Sequence, residues 1–292
     1  MSVYKHNYRA YTGEITPLWN RIAVVARYAL AEAWSSRITV VLFTLSLLPS
    51  IVFLVMIYVA NNPIARALIT RGGGSPGLEI DARFFFVVLQ VQSWIALAIT
   101  AWVAPRLISF DLSDNALPIL LSHPISRPGY VLAKFVALFG SLSAITWVPC
   151  LMLFAYQGYS SPQPWTASNL NIAFGLFFGS VIWIAFLSIL GLALSSWVKW
   201  RIVATGVIFA AVFVPAGIGG IVSAIMRTKW GFLLNVPYIM SVLWRRLLGA
   251  PDFTRFGPSI PTAAIVTTLV IACSACFAML NARVRAREVV RG

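Results

Sequence analysis

Charged residues are scarce in this chain and are missing from long stretches of it. Only 10% of the 292 residues are Asp, Glu, Lys or Arg. Six apolar stretches of about 20 residues or more contain none of them, and a soluble helix of that length would carry a polar face. None alternates like the strands of a membrane barrel. We therefore predict an all-α polytopic membrane protein with six spans, at 38–60, 84–104, 135–156, 171–198, 202–226 and 259–281.

Residues and motifs typical of catalytic or metal sites are few. There are three cysteines and two histidines. Cys273 and Cys276 form a C-x-x-C pair inside the sixth predicted span without a second ligand pair, so we interpret them, like Cys150, as small apolar side chains. His6 and His123 lie far apart and outside the spans. The chain has no G-x-x-x-x-G-K-[ST] or H-E-x-x-H motif. We predict no enzymatic activity, cofactor or metal on this chain.

Acidic residues are also few, which leaves a formal net charge of +14. The basic residues are scattered over six polar segments, as membrane-flanking anchors are, and this disfavours a nucleic-acid partner. Fourteen of the 22 Lys and Arg residues fall in the N-terminal segment, the loop after span 2, the break after span 4 and the C-terminal tail. The positive-inside rule then predicts both termini in the cytoplasm. Residues 1–292 form one membrane domain, with cytoplasmic ends at 1–37 and 282–292.

The N-terminal segment is predicted to contain an amphipathic helix. Thr16 followed by Pro17 is typical of a helix start. We expect the helix to lie in the cytoplasmic membrane interface, with its apolar face in lipid and its polar face in water. The apolar face comprises Leu18, Ile22, Val25, Ala26, Ala29, Leu30 and Ala33.

The loop between spans 5 and 6 contains a second predicted helix, Val236–Leu248, with Pro237 early and Gly249 just beyond its end. We expect this helix to enter the outer leaflet and to line the top of a pathway, with Arg245 and Arg246 reaching lipid headgroups. The alternative is a purely structural lid.

Polar and helix-bending residues inside the spans give further candidates. Gln90 and Gln92, in the outer half of span 2, are candidate pathway residues, whereas the milder polar residues are interpreted as packing contacts. Pro49 and Pro149 are predicted to kink spans 1 and 3, and Pro215 is a candidate hinge in span 5. No span carries the ionisable midplane residue that ion-coupled carriers use, so we expect the energy source to lie outside the bilayer.

One more span motif is the G-x-x-x-G at Gly175 and Gly179 in span 4. This spacing predicts a close helix contact within the chain, or alternatively a dimer seam.

The loop after span 2 is the richest stretch for function. Residues 106–115 are predicted to continue span 2 as a helix, with Asp111 and Asp114 on one face. Residues 117–121 are apolar although they lie outside the membrane. An apolar patch flanked by acids predicts a docking surface for a soluble partner, and the alternative is a loop that folds back on its own helices.

Residues 111–134, DLSDNALPILLSHPISRPGYVLAK, resemble the signature region of ABC-2 type ABC transporter permeases. That family has an acidic stretch followed by G-T-L-x-x-L-L-S-x-P-[IV]-S-R-x-x-[YF]-[VI]-x-[AG]-K. The match is best from Leu117 to Lys134, and the six-span layout extends the resemblance over nearly the whole chain. The sequence departs from the pattern where the family often has Glu/Asp-Arg and then Gly-Thr, because Asp114-Asn115-Ala116 stands there instead.

The resemblance implies a membrane subunit that pairs with a second permease subunit, identical or not, in a bacterial inner membrane. It also implies a separate ATPase, holding ATP and Mg²⁺, that docks on the loop 106–129 and drives a lipidic, amphiphilic or hydrophobic substrate across the membrane. The implied docking residues are Asp111, Asp114, Leu117, Leu120, Leu121 and Arg127. A membrane anchor or scaffold without transport activity, and a secondary carrier, remain the alternative functions.

Overall fold

The computed structural model describes residues 17–65, 67, 79–113, 127–161, 165–198, 200–251 and 260–286. Within these ranges there is no strand, and six helical segments are long and apolar enough to cross a membrane. The prediction of an all-α, six-span membrane protein is therefore confirmed. The spans are Arg37–Asn61, Ala82–Ile108, Pro128–Ser160, Leu170–Trp197, Arg201–Ile225 and Thr262–Arg283.

The helices are labelled in chain order. Span 1 consists of α2 (Arg37–Ser46) and α3 (Leu48–Asn61), and span 3 of α5 (Arg127–Ile145) and α6 (Trp147–Ser160). The other spans belong to α4 (Ala82–Ser113), α8 (Leu170–Trp197), α9 (Arg201–Ile225) and α11 (Thr262–Ala286). Outside the spans lie α1 (Leu18–Trp34), the short α7 (Trp165–Ser168), a 3-10 turn (Trp230–Leu234) and α10 (Val236–Leu248).

Spans 2, 3 and 4 form the centre of the bundle. In their most apolar stretches 61%, 50% and 67% of the residues are buried, against 17% to 22% in spans 1, 5 and 6. The three outer spans thus leave most of their apolar side chains exposed in the single chain, as lipid-facing or subunit-facing helices do. Helices α1 and α10 lie at opposite ends of the bundle, because α1 packs against the start of α5 whereas α10 packs against the start of α8.

Spans 1 and 3 are interrupted, as their prolines predict. Each break falls shortly before the proline, at Leu47 before Pro49 and at Thr146 before Pro149. A proline has no N–H for the carbonyl four residues earlier and its ring crowds that carbonyl, so the helix loses a backbone hydrogen bond there and is weakened. At the second break the Thr146 hydroxyl donates to the Leu142 carbonyl at 2.7 Å, which keeps that buried group satisfied.

Span 2 passes through a proline without a break. Pro105 lies inside α4 and leaves the Ala101 carbonyl without its helical donor. The hydroxyl of Thr205, on span 5, donates to that carbonyl at 2.8 Å. A neighbouring helix therefore supplies the missing hydrogen bond, which is how membrane helices tolerate proline. As a result α4 reaches Ser113, and the predicted continuation of span 2 beyond the membrane is present as far as that residue.

The N-terminal helix α1 differs from the expectation in what covers its apolar face. Its buried residues are Ile22, Ala26, Ala29 and Ala33, and the first two pack with Ala133 of α5. For these four residues the expectation of lipid contact is wrong, because they lie on protein, whereas Leu18 and Leu30 of the same predicted face are exposed. The small alanines allow the two helix backbones to approach closely, which favours helix contact over lipid contact.

Candidate functional site: the seam between spans 2 and 5

Most of the predicted docking surface lies outside the described residues. Asp114, Leu117, Leu120 and Leu121 fall in the range 114–126, which the structure does not describe. The backbone of Asp111 belongs to the last turn of α4, and that of Arg127 to the first turn of α5. The docking role of these residues stays a prediction.

Helix α10 has the predicted bounds, with Pro237 in its first turn and Gly249 just beyond its end. The Asn235 side chain accepts a hydrogen bond from the Tyr238 N–H at 3.0 Å, which caps its start. Gly249 ends it in the left-handed conformation, with φ of 68°. Glycine adopts that conformation without strain, so the turn is intrinsic to the sequence.

Two glycines of span 4 let α10 pack deeply into the bundle. A Cβ on Gly175 would stand 2.8 Å from the Leu247 carbonyl oxygen, and one on Gly179 would stand 2.7 Å from the Trp244 ring. The indole N–H of Trp244 donates to the Gly179 carbonyl at 3.0 Å. In the structure the G-x-x-x-G motif is therefore a packing site within the chain.

The two arginines of α10 do not both behave as expected. Arg245 is only 5% exposed, so its guanidinium does not extend to headgroups as predicted. Its side chain donates to the Ser241 carbonyl at 3.2 Å and lies 5.5 Å from the centre of the Phe86 ring in span 2. Arg246 instead joins α10 to span 6, donating to the Thr262 hydroxyl at 2.6 Å and to the Ile260 carbonyl.

Gln90 and Gln92 lie on different faces of span 2 and differ in burial. The Gln92 amide is fully buried and donates to the Ser50 hydroxyl of span 1, while its own carbonyl oxygen has no partner within the described ranges. Gln90 is half-buried and lies one helical turn after Phe86 and one before Trp94. Gln90, and not Gln92, therefore shares a face of span 2 with the residue that contacts Arg245.

Span 2 also contacts span 5, and we call the line of contact between α4 and α9 the 2–5 seam. At one end the Arg201 guanidinium stacks over the Trp102 ring, 4.2 Å from its centre. Midway, Trp94 and Phe213 stack with their ring centres 5.8 Å apart and nearly parallel. Trp94 is 39% exposed and Phe213 48% exposed, so the aromatic pair forms part of the outer surface.

Pro215 lies two residues beyond this aromatic pair, and α9 is continuous through it. Its role as a hinge stays a prediction. The seam thus combines an exposed aromatic pair with the Arg201 guanidinium at one end, and Gln90 and Arg245 lie towards the other end of span 2. Such a surface suits an amphiphilic molecule better than a small ion, because aromatic rings offer apolar contact and the polar groups are confined to a few points.

Sequence reasoning missed the pairing of Trp94 with Phe213 and the bond from Thr205 to Ala101. The residues of each pair are more than 100 positions apart, and each is unremarkable in its own span. The signal that was available is the proline at position 105, because a proline inside a membrane helix implies a carbonyl that needs an outside donor.

The hydrogen bond from Thr205 to Ala101 predicts that substitutions of Thr205 and Pro105 have non-additive effects on stability. Thr205→Val should lower the stability of the purified protein by roughly 0.6–1 kcal/mol, because it leaves the Ala101 carbonyl unsatisfied. In a Pro105→Ala background the helix itself supplies that donor, so the same substitution should cost much less. Melting temperatures of the four proteins in one detergent measure the coupling. Equal costs in both backgrounds would show that Thr205 does not compensate for Pro105.

No protein-family model and no curated protein matches this chain.

Proposed function

We propose that this chain is the membrane-spanning permease subunit of an ATP-driven transporter of the ABC-2 type. It works with a separate ATPase that binds ATP and Mg²⁺ and docks on the loop 106–129, and with a second permease subunit. Closure of the paired ATPases pushes on this loop and changes the spacing of the two permease bundles. The substrate is a lipid, an amphiphile or a hydrophobic drug. Both termini face the cytoplasm of a bacterial cell.

The continuity of α4 supports this proposal more than any other single observation. The helix has 32 residues, or about 48 Å, which exceeds the roughly 30 Å of the hydrocarbon core. Its C-terminal turns therefore extend beyond the bilayer towards the loop that resembles the family signature. Its inner part packs against span 4 at the centre of the bundle. A push on the loop would reach the core through one rigid element.

The substrate class rests on the 2–5 seam. A hydrophilic substrate would need a polar channel, whereas the exposed part of the seam is aromatic around Trp94 and Phe213. An amphiphile can move along such a surface with its apolar part in the membrane. Gln90 and Arg245 supply polar groups at one end of that route.

We place α1 in the cytoplasmic interface, with a revised orientation. Its buried stripe lies on α5, and next to that stripe an exposed apolar flank contains Trp19, Ala23, Leu30 and Trp34. This flank faces lipid, and the face that carries Asn20 and Arg27 faces water.

Spin labels test this orientation of α1. Labels at Ala23 and Leu30 in reconstituted protein should show oxygen accessibility, as lipid-exposed sites do, and labels at Asn20 and Arg27 should show accessibility to a water-soluble relaxation agent. A label at Ala29 serves as a buried control and should show neither. Water exposure at Ala23 and Leu30 would place α1 outside the membrane interface.

The partner chain is the first test of the proposed function. A tagged version of this protein, extracted in mild detergent from its native membrane, should retain a second chain with a G-x-x-x-x-G-K-[ST] phosphate loop. Recovery of a large complex without an ATPase would favour the scaffold function. Recovery of this chain alone, with transport driven by an ion gradient, would favour a secondary carrier.

A further inference from the structure

Two arginines come together at the end of the bundle where α1 packs. Arg106 of span 2 donates to the Thr39 hydroxyl of span 1 at 3.1 Å. Arg201 of span 5 stacks over Trp102, one helical turn before Arg106. Because Trp102 and Arg106 are one turn apart, the two guanidinium groups lie on the same side of span 2, and their positive charges repel each other. We call Arg106 and Arg201 the arginine pair.

Within the described part of the chain, the arginine site contains hydrogen-bond donors without an acceptor. The Nη2 of Arg201 and the Nε1 of Trp102 are both buried, and neither has an acceptor among the described residues. No carboxylate in the described ranges pairs with either arginine, whose contacts are a hydroxyl and a ring. Buried donors are almost always bonded in proteins, so two unsatisfied donors in contact with each other's side chains indicate a missing acceptor.

The local field also favours a negative ligand. Arg201 is the first residue of α9, so its charge lies at the positive end of the helix dipole and adds to the repulsion from Arg106. An anion between the two groups would turn an unfavourable arrangement into a favourable one. An arginine side chain offers several planar N–H donors, a geometry that matches the oxygens of a phosphate.

We propose that the arginine pair and Trp102 bind a phosphate-class oxyanion, and that its source is the headgroup of an anionic phospholipid. The position supports a lipid source. Arg106 and Arg201 lie near the ends of their spans, which is where basic residues of membrane proteins meet lipid headgroups. Next to Arg201 the apolar side chains of Ile202 and Val203 are 87% and 47% exposed. Acyl chains can lie against these side chains while the headgroup reaches the guanidinium groups. Arg201 and Trp102 also form one end of the 2–5 seam, but binding of a headgroup at the arginine pair can be measured without transport.

The test is the thermal stability of the purified full-length protein in detergent micelles. Short-chain phosphatidylglycerol should raise the melting temperature with a half-saturating concentration at least about tenfold lower than that of phosphatidylcholine. A parallel titration with inorganic phosphate distinguishes a lipid headgroup from a free oxyanion as the ligand. If phosphate raises the melting temperature as well as phosphatidylglycerol does, the ligand is a free oxyanion and the lipid assignment is wrong. If neither does so, the site does not exist.

The variants Arg106→Gln and Arg201→Gln should each lose the response to phosphatidylglycerol, with a half-saturating concentration raised by about tenfold or more. Arg283→Gln is the matched control and should respond as the unmodified protein does. Arg283 lies near the same end of the bundle and stacks over Trp197, but it also donates to the Ser196 carbonyl at 3.2 Å. An equal loss in Arg283→Gln would show a general charge effect and would overturn the proposal.

The melting temperature without ligand distinguishes a ligand site from an arginine pair that only stabilises the fold. In pure neutral detergent, Arg106→Gln should leave the melting temperature unchanged or raise it, because it removes a like-charge repulsion. A marked loss of stability would mean that the pair supports the fold instead. If Arg201→Gln does not fold, Trp102→Phe keeps the ring and removes one unsatisfied donor. That variant should still weaken the phosphatidylglycerol response, and an undiminished response would contradict the proposed site.

Discussion

Charge reversal at Asp111 combined with Leu120→Glu is expected to abolish ATP-driven transport while the chain still inserts in the membrane. The last turn of α4 carries Asp111, and Leu120 lies in the apolar stretch that resembles the family's docking element. A new positive charge would repel basic groups of the ATPase, and a carboxylate in an apolar groove would have to be desolvated. The readouts are recovery of the ATPase with the tagged chain and transport in membrane vesicles.

The matched control for the charge reversal at Asp111 is Glu79→Lys. This substitution makes the same change of charge sign at the opposite end of span 2. Glu79 is exposed, so the control tests for general effects of charge on expression and insertion. It should retain both the ATPase and transport. Normal recovery and normal transport in the Asp111/Leu120 double variant would show that the loop is not where the ATPase docks.

Gly175→Leu is expected to displace α10 from the bundle. A Cβ at this position already stands 2.8 Å from the backbone oxygen of Leu247, and a backbone atom cannot move aside as a flexible side chain can. Overpacking of this kind costs about 1–3 kcal/mol even where side chains can adjust. The melting temperature of purified protein should fall, and amide hydrogen exchange in α10 should rise. Because α10 carries Arg245 against Phe86, transport should fall as well.

Gly140→Leu is the control for this substitution. Gly140 also lies in the middle of a membrane helix, but a Cβ there meets nothing within 4 Å. The control should leave stability and α10 exchange unchanged. If Gly175→Leu were equally well tolerated, α10 would not be anchored on Gly175 of span 4.

Sequence periodicity and composition predicted where the helices lie better than what packs against them. Hydropathy located all six spans, and Pro237 and Gly249 located the ends of α10, because these signals act within a few residues. The apolar stripe of α1 was also visible, but a stripe does not say whether lipid or protein covers it. Ala26 and Ala29 allow a close protein contact there, and that depends on the position of α5.

For the predicted pathway residues, too, the sequence did not reveal which groups they contact. Gln90 and Gln92 look equivalent in sequence, yet only the structure shows that Gln92 turns to Ser50 of span 1. Arg245 looked like a headgroup contact because its distance from the end of α10 suits snorkelling. Its burial follows from the glycines of span 4, which draw α10 into the bundle. Contacts over such sequence distances cannot be read from local periodicity.

The most direct measurement is ATP-dependent lipid translocation in proteoliposomes that contain this chain and its co-purified ATPase. A fluorescent phospholipid should cross the bilayer when ATP and Mg²⁺ are supplied. Translocation should stop with a non-hydrolysable ATP analogue and with the Asp111/Leu120 double variant. Translocation that proceeds equally without ATP, or that follows an imposed ion gradient instead, would contradict an ATP-driven permease.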